Sequence, residues 1–200
     1  MADHYFSAQP LTPDERYERD VTIDGTEYSI LASPGVFSPG RLDKGTRVLL
    51  KYAPEPPDEG LLVDLGCGWG PLSLALATAC PEARVLAVDV NERARELTRL
   101  NAERAGLTNI EVCGPQEGLE IARETGVRGL WSNPPVRIGK QHMRDLLMDW
   151  LSLVTGESIL VIAKNLGADS HAAFLADTFE VARLGSSGGF RVLSVRPRES

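Results

Sequence analysis

Cysteine is scarce in this chain of 200 residues. Cys67, Cys80 and Cys113 have neither CxxC spacing nor an even count, which argues against a zinc site and against a disulfide framework. A reducing cytoplasm is therefore the expected location. Long apolar runs are missing too: none approaches the roughly 20 residues that cross a bilayer. Met1-Ala2-Asp3-His4-Tyr5 lacks the basic-then-apolar order of a signal peptide, so no membrane partner is expected. Positive charge is in deficit, with 21 Lys and Arg against 28 Asp and Glu and a net charge of −7. Proteins that grip nucleic acid by bulk electrostatics are usually basic, so any such contact here has to come from a local patch or a partner. What remains is ordinary globular material, 42% hydrophobic and 24% charged, of a length suited to one domain with one substantial core.

Residues 1–60 read as an extension packed ahead of a core at 61–200, the whole forming a single domain. In the extension, Val21 to Tyr28 is β-prone on both sides of Asp24-Gly25, a hairpin signal. Asp14, Glu15, Glu18 and Asp20 before it read as solvated surface. Ser33 to Gly40 is too punctuated by proline and glycine for helix or strand. A short helix is expected from Asp43, ended by Pro54-Glu55-Pro56-Pro57. From Leu61 the pattern alternates strand and helix. Leu61–Val63, Val85–Asp89, Ile110–Cys113, Leu130–Ser132 and Ser158–Ala163 read as strands. Asn91 caps a helix carrying Ala94, Leu97 and Leu100, and Gly106 stops it. Met143, Leu146, Leu147, Trp150, Leu151 and Val154 fall on one helical face. At the end, segments flanking Gly185 to Gly189 suggest an antiparallel hairpin. Alternation of this kind predicts an α/β fold with a mostly parallel sheet and helices on both faces.

The chain is organised around Val63-Asp64-Leu65-Gly66-Cys67-Gly68-Trp69-Gly70, followed by Pro71 and an alanine-rich helix. Strand, glycine turn and helix in that order build a ligand cradle at the strand ends of a parallel sheet. Two ligands compete for it, a dinucleotide and S-adenosylmethionine. The spacing is GxGxG rather than GxGxxG, and Asp64 sits two residues before the first glycine. A carboxylate there repels a pyrophosphate but tolerates an ammonium or a sulfonium. Asp89, ending the second strand, suits a ribose in either ligand. The balance favours S-adenosylmethionine.

A second constellation, Ser132-Asn133-Pro134-Pro135-Val136, stands where a fourth strand ends. Residues before proline are held extended, and two prolines remove two N–H donors, so the Asn133 side chain and the Pro134 carbonyl can serve as acceptors. An exocyclic amine on a planar base is a poor nucleophile because its lone pair is delocalised. Two acceptors on its hydrogens draw it out of conjugation and aim it at a methyl group, which is positioning plus electrostatics without a strong base.

Together these two stretches resemble motifs I and IV of class I S-adenosylmethionine-dependent N-methyltransferases. More narrowly, the chain resembles the small-domain ribosomal RNA guanine-N2-methyltransferases. That match rests on His4-Tyr5-Phe6-Ser7, the run from Pro34 to Thr46, Asp89 to Ala94, Asn133 to Lys140, Leu166-Gly167-Ala168 and Gly189 to Leu193. The resemblance implies a Rossmann-like, seven-stranded sheet with a reversed last strand, S-adenosylmethionine as cofactor, and ribosomal RNA or a ribosomal subunit as partner. It implies that Phe37 and Thr46 help close the cofactor pocket. With the residue reading, it assigns the cofactor to Phe37, Thr46, Asp64, Gly66, Cys67, Gly68, Gly70, Asp89, Val90, Gln116 and Asn133. Catalysis falls to Asn133, Pro134 and Pro135, acceptor contacts to Val136, Arg137 and Lys140, and no metal is expected.

Three features depart from the family pattern. Relatives often carry a second domain in front that helps hold RNA, and the chain is too short for one. Gly114-Pro115-Gln116 replaces an acidic residue near the adenine, and Arg128 replaces an Asp before motif IV. Arg137, Lys140 and Arg144, with Arg41, Lys44 and Arg47, would form a basic rim at the mouth or else ordinary solvated charge. His142 reads as an exposed helix residue and Cys67 as a matter of fit. Adenine N6 or a protein glutamine amide are alternative acceptors, disfavoured by Val136 where those enzymes carry an aromatic. A non-catalytic module binding S-adenosylmethionine or RNA is the reading from another class.

Overall fold

The structure is a computed structural model, and it describes residues 12–134 and 139–198. Its first element is the hairpin β1 (Tyr17–Ile23) and β2 (Thr26–Ala32), paired antiparallel across Asp24-Gly25. The strands run further than the β-prone window suggested. Asp14 ahead of them is not merely solvated: it accepts from Ser33 and pairs with Arg16. Helix α1 (Lys44–Tyr52) follows, capped by Asp43, whose carboxylate accepts from the N–H groups of Gly45 and Thr46.

The core alternates as expected: β3 (Leu61–Leu65), α2 (Pro71–Ala79), β4 (Arg84–Val88), α3 (Glu92–Arg104), β5 (Ile110–Cys113), α4 (Pro115–Thr125), β6 (Val127–Ser132), α5 (Lys140–Leu151) and β7 (Val154–Ala163). A 3₁₀ turn at Lys164–Leu166 leads to α6 (Ala168–Ala176), then β8 (Glu180–Ser187) and β9 (Phe190–Arg196). The seven-stranded sheet has the order β5-β4-β3-β6-β7-β9-β8, and β9 is antiparallel to both neighbours. The reversed strand is thus the last of the chain.

Three expectations shift. Val154 belongs to β7 and not to the helix before it; Leu151 ends α5, and β7 begins by pairing with Val127 of β6. Gly185 to Ser187 lie in β8, and only Gly188-Gly189 make the turn. Helices α4 and α6 were not foreseen, because Gly118 and the small residues of α6 blur the apolar period.

Helix α2 is buried all round at Leu72, Ser73, Leu74, Ala75, Leu76 and Ala77, the signature of a helix covered on both sides. Leu72 and Leu76 pack on the sheet with Leu62 and Val85. Leu74 and Ala75 pack on Ile23, Tyr28 and Ile30 of the hairpin. The N-terminal segment therefore encloses the helix that leaves the glycine turn. Polar ties reinforce the packing. Arg93 donates to the carbonyls of Thr12, Pro13 and Pro34, and Asn101 bonds both the N–H and the C=O of Leu31. Among the described residues, no helix is long and apolar enough to cross a membrane, and no cluster of three or more His, Cys, Asp or Glu side chains could hold a metal.

Candidate active site

The carboxyl ends of the central strands carry the site. Strands β3, β4 and β6 lie side by side, so the glycine turn after β3, Asp89 after β4 and Asn133 after β6 come together, as adjacent parallel strands require. The Gly66 and Cys67 N–H groups donate to the carbonyl of Val88 at 2.8 and 3.0 Å. The Gly68 N–H reaches Asp89 Oδ2 at 2.9 Å, while Asp89 Oδ1 accepts from the Asn91 N–H at 2.9 Å. Asp89 therefore braces the turn and still has lone pairs for hydroxyl groups. Burial raises its pKa above the ordinary aspartate value despite these bonds, making it a weaker acid.

Asp64 is completely buried. Ser73 donates to its Oδ2 at 2.6 Å, whereas Oδ1 has no partner among the described residues. Burial pushes its pKa up to about 7, against the lowering effect of the Ser73 bond and helped by the charge of Asp89. The carboxylate expected to repel phosphate is thus poised between neutral and charged. Burial also pushes the Cys67 thiol far up, in keeping with fit and not reactivity.

One pocket is lined by Phe37, Thr46, Asp64, Gly66, Cys67, Gly68, Asp89 and Asn133 of the expected set, together with Val36, Ser38, Asp43 and Trp69 among others. Three carboxylates (Asp43, Asp64 and Asp89) face this pocket, and no lysine or arginine is among its described lining residues. Such a site suits a cationic ligand and opposes a pyrophosphate. Gly68 has φ +59°, and a Cβ there would meet nothing within 4 Å, so its bareness leaves room for a ligand. Gly70 differs: φ is +99°, and a Cβ would lie 3.1 Å from Thr98 Cγ2. Its role is packing of the turn on α3.

Gly70, Val90, Gln116 and Lys140 stand outside this pocket. Val90 and Gln116 are exposed, and Lys140 is exposed at the start of α5. Pro134 is buried at the end of β6. Pro135, Val136 and Arg137 lie outside the described residues, as does the block from His4 to Ser7. Of the basic residues considered for a rim, Arg144 instead donates to Ser170 and stacks on Phe174 at 4.3 Å. Arg47 donates to the Leu42 carbonyl.

The arrangement that sequence reasoning missed is around Asn133. Its Nδ2 donates to Asp43 Oδ2 at 2.9 Å and to Thr46 Oγ1 at 3.2 Å. A carboxylate can only accept, so the amide nitrogen must face Asp43 and Oδ1 must face away. Gly45 makes the approach possible: a Cβ there would lie 2.9 Å from Asp43 Oδ2 and 3.1 Å from Asn133 Nδ2. Asp43, Gly45 and Thr46 thus serve as cap, gap and hydroxyl. The only trace of this in the sequence was the spacing of Asp43, Gly45 and Thr46 within the N-terminal block.

Residues 27–194 match the family model of the methyltransferase small domain. The chain belongs to that family. A Bacillus subtilis (strain 168) relative, the uncharacterized protein YbxB, is 30% identical over 98% of this methyltransferase and 99% of its own length. The small-subunit ribosomal RNA methyltransferase C of Pseudomonas putida (strain GB-1) is 37% identical over 66% of this chain but only 38% of its own. This methyltransferase therefore spans about two fifths of the length of the curated ribosomal RNA enzymes it matches. Among solved structures, a T. thermophilus 16S rRNA N2 G1207 methyltransferase (RsmC) in complex with AdoMet and guanosine superposes with a TM-score of 0.79. That alignment has 23% identity and covers 93% of this chain and 52% of the other. It shows a shared fold.

Proposed function

We propose that this methyltransferase transfers a methyl group from S-adenosylmethionine to an exocyclic amine, the N2 of a guanine in small-subunit ribosomal RNA. The observation that carries the reading is Asn133, whose amide nitrogen is tied to Asp43 and Thr46, so that Oδ1 is left as an acceptor at the lip of the acidic glycine-turn pocket. The residues fit the cofactor. Asp64, with its unpartnered Oδ1, would face the ammonium, Asp89 the ribose hydroxyls, and bare Gly68 would let the ligand lie against the main chain. Phe37, 44% exposed beside the pocket, would close over it. When bound, S-adenosylmethionine would supply an electrophilic methyl on a sulfonium, the S–C bond breaking as nitrogen attacks and neutral S-adenosylhomocysteine leaving.

Asn133 Oδ1 and the Pro134 carbonyl accept the two hydrogens of the amine. They hold its lone pair out of the ring and towards the methyl. As the new N–C bond forms, positive charge appears on nitrogen, and the two acceptors stabilise it until one proton leaves to solvent. Pro135 and Val136 would stack on the base. Support for a guanine in ribosomal RNA comes from the Pseudomonas putida relative, a small-subunit ribosomal RNA methyltransferase, and from the T. thermophilus protein of shared fold, a 16S rRNA N2 G1207 methyltransferase. The test is tritium transfer from labelled S-adenosylmethionine to ribosomal subunits and to naked ribosomal RNA. Wild type labels guanine N2. Asn133→Ala loses on the order of 10²-fold or more in kcat, as for removal of one transition-state hydrogen-bonding group, while cofactor binding is retained. Full transfer by Asn133→Ala rules out the mechanism. Cofactor binding without any transfer by wild type supports a non-catalytic module instead.

A further inference from the structure

Among the described residues, only one side of the Asp43 carboxylate is engaged. Its Oδ2 accepts from the N–H of Gly45 at 2.7 Å, the N–H of Thr46 at 3.4 Å and the Asn133 amide at 2.9 Å. Among the described residues, Oδ1 has no hydrogen-bond partner. Capping α1 needs only one of these oxygens and is served as well by serine or asparagine, so a cap does not account for a carboxylate lining the pocket beside Asn133. Asp43 Oδ1 and Asn133 Oδ1, both without a partner among the described residues, flank the same Asn133–Asp43 hydrogen bond at the wall of the pocket and can act as a paired acceptor.

The Watson–Crick edges of the candidate bases differ in what they offer to such a pair. Guanine presents two adjacent donors, N1–H and N2–H₂. Adenine presents the N6 amine beside N1, an acceptor. A glutamine side-chain amide has no second ring donor at all. Bases read outside a duplex are recognised by hydrogen bonds to this edge, and a bond to a charged acceptor is about twice as strong as a neutral one.

We infer that Asp43 is the specificity-determining residue of the acceptor site, its free carboxylate oxygen accepting guanine N1–H while Asn133 holds the N2 amine. An adenine in the same pose sets its N1 lone pair against a carboxylate, and a buried repulsive contact of that kind rejects the wrong base. The inference rests on the proposed guanine N2 reaction and names the group that selects for it.

The test compares two nucleosides with the same N2 amine and opposite N1 character, guanosine and 2,6-diaminopurine riboside. Binding of each to the full chain is measured by calorimetry with S-adenosylhomocysteine present. Wild type prefers guanosine roughly tenfold or more, in line with the discrimination expected of a good base-edge contact. Asp43→Asn erases or reverses the preference: its Oδ1 takes over the three donors now on Oδ2, and its Nδ2 donates to N1 of diaminopurine. Asp43→Ser keeps the cap but does not reach the base, so it erases the preference without reversing it. Melting curves of both variants report the fold, and every titration is run at saturating S-adenosylhomocysteine, so the preference is read with the cofactor site filled whatever Asp43 contributes to it.

Equal binding of the two nucleosides by wild type, or an unchanged ratio in both variants, overturns the role of Asp43. If methyl transfer still goes to guanine N2 in that case, the functional reading survives without it. Methyl transfer by wild type to adenosine N6, or binding of neither nucleoside, overturns the guanine reading and the inference together.

Discussion

The Ser73 hydroxyl donates to Asp64 Oδ2 at 2.6 Å across the glycine turn, and the other carboxylate oxygen is buried without a partner among the described residues. A strand residue and a helix residue nine positions apart are thereby tied together across the turn. The bond satisfies half of a buried carboxyl group, and the ammonium of the proposed cofactor would satisfy the other half.

Stability should record this. Asp64 has a folded pKa of about 7 against an ordinary 3.8, so the folded state binds the extra proton between these values and stability falls as pH rises from about 4 to 7. Below that window the penalty is absent, and above it the penalty is constant, of order 4 kcal/mol. Urea denaturation across this range is expected to show the decline in wild type and a shallower one in Asp64→Asn. Binding of S-adenosylhomocysteine, whose ammonium favours the charged carboxylate, is expected to tighten as pH rises through about 7. A pH-independent affinity removes Asp64 as its partner.

Gly68 and Gly70 have separable roles. Gly68→Ala adds a methyl group in open space at φ +59°, a strain of about 1 kcal/mol. It is expected to keep the fold and to weaken S-adenosylhomocysteine binding tenfold or more. Gly70→Ala combines φ +99° with a 3.1 Å approach to Thr98 and is expected to lower the melting temperature by more than Gly68→Ala does. Equal effects of the two on stability and binding sink the distinction.

Gly45→Ala tests the contact that orients Asn133. Alanine favours a helix by up to about 1 kcal/mol, which offsets crowding, so the melting temperature is expected to change little. Its Cβ meets Asp43 Oδ2 at 2.9 Å and Asn133 Nδ2 at 3.1 Å, forcing the pair apart. The expected outcome is a drop of roughly tenfold or more in kcat with cofactor affinity nearly unchanged.

Asn101 joins the N-terminal hairpin to the glycine turn. Its Nδ2 donates to the Trp69 carbonyl at 2.9 Å, and its side chain bonds both backbone groups of Leu31. Asn101→Ala leaves buried backbone groups unpaired and is expected to cost about 2–4 kcal/mol in chemical denaturation. A loss below about 0.5 kcal/mol would mean that the hairpin is held by its apolar contacts alone.

Much of the fold was legible in the chain because local signals agreed. Asp-Gly between β-prone runs gave the hairpin, Pro71 and Asn91 opened helices, and the strand–helix alternation implied a parallel sheet. Helix α4 was missed because Gly118, which interrupts its apolar pattern, is there for a tertiary reason: a Cβ would sit 3.1 Å from Cys113 Sγ, Trp150 Cη2 and Val88 Cγ2. Val154 went to the wrong element because an apolar residue at helical spacing does not reveal that a neighbouring strand is waiting to pair with it.

The sequence alone determined that a glycine turn, an aspartate after the second strand and an Asn-Pro-Pro after the fourth would share one sheet edge, since short-range order and parallel topology leave few alternatives. Tertiary structure alone decided their chemical state. It buried Asp64 so that its carboxyl group is half neutral near pH 7, separated the roles of Gly68 and Gly70, and brought Asp43 across 90 residues of chain to the Asn133 amide. Desolvation and hydrogen-bond direction depend on which atoms meet in space, and spacing along the chain carries no record of that.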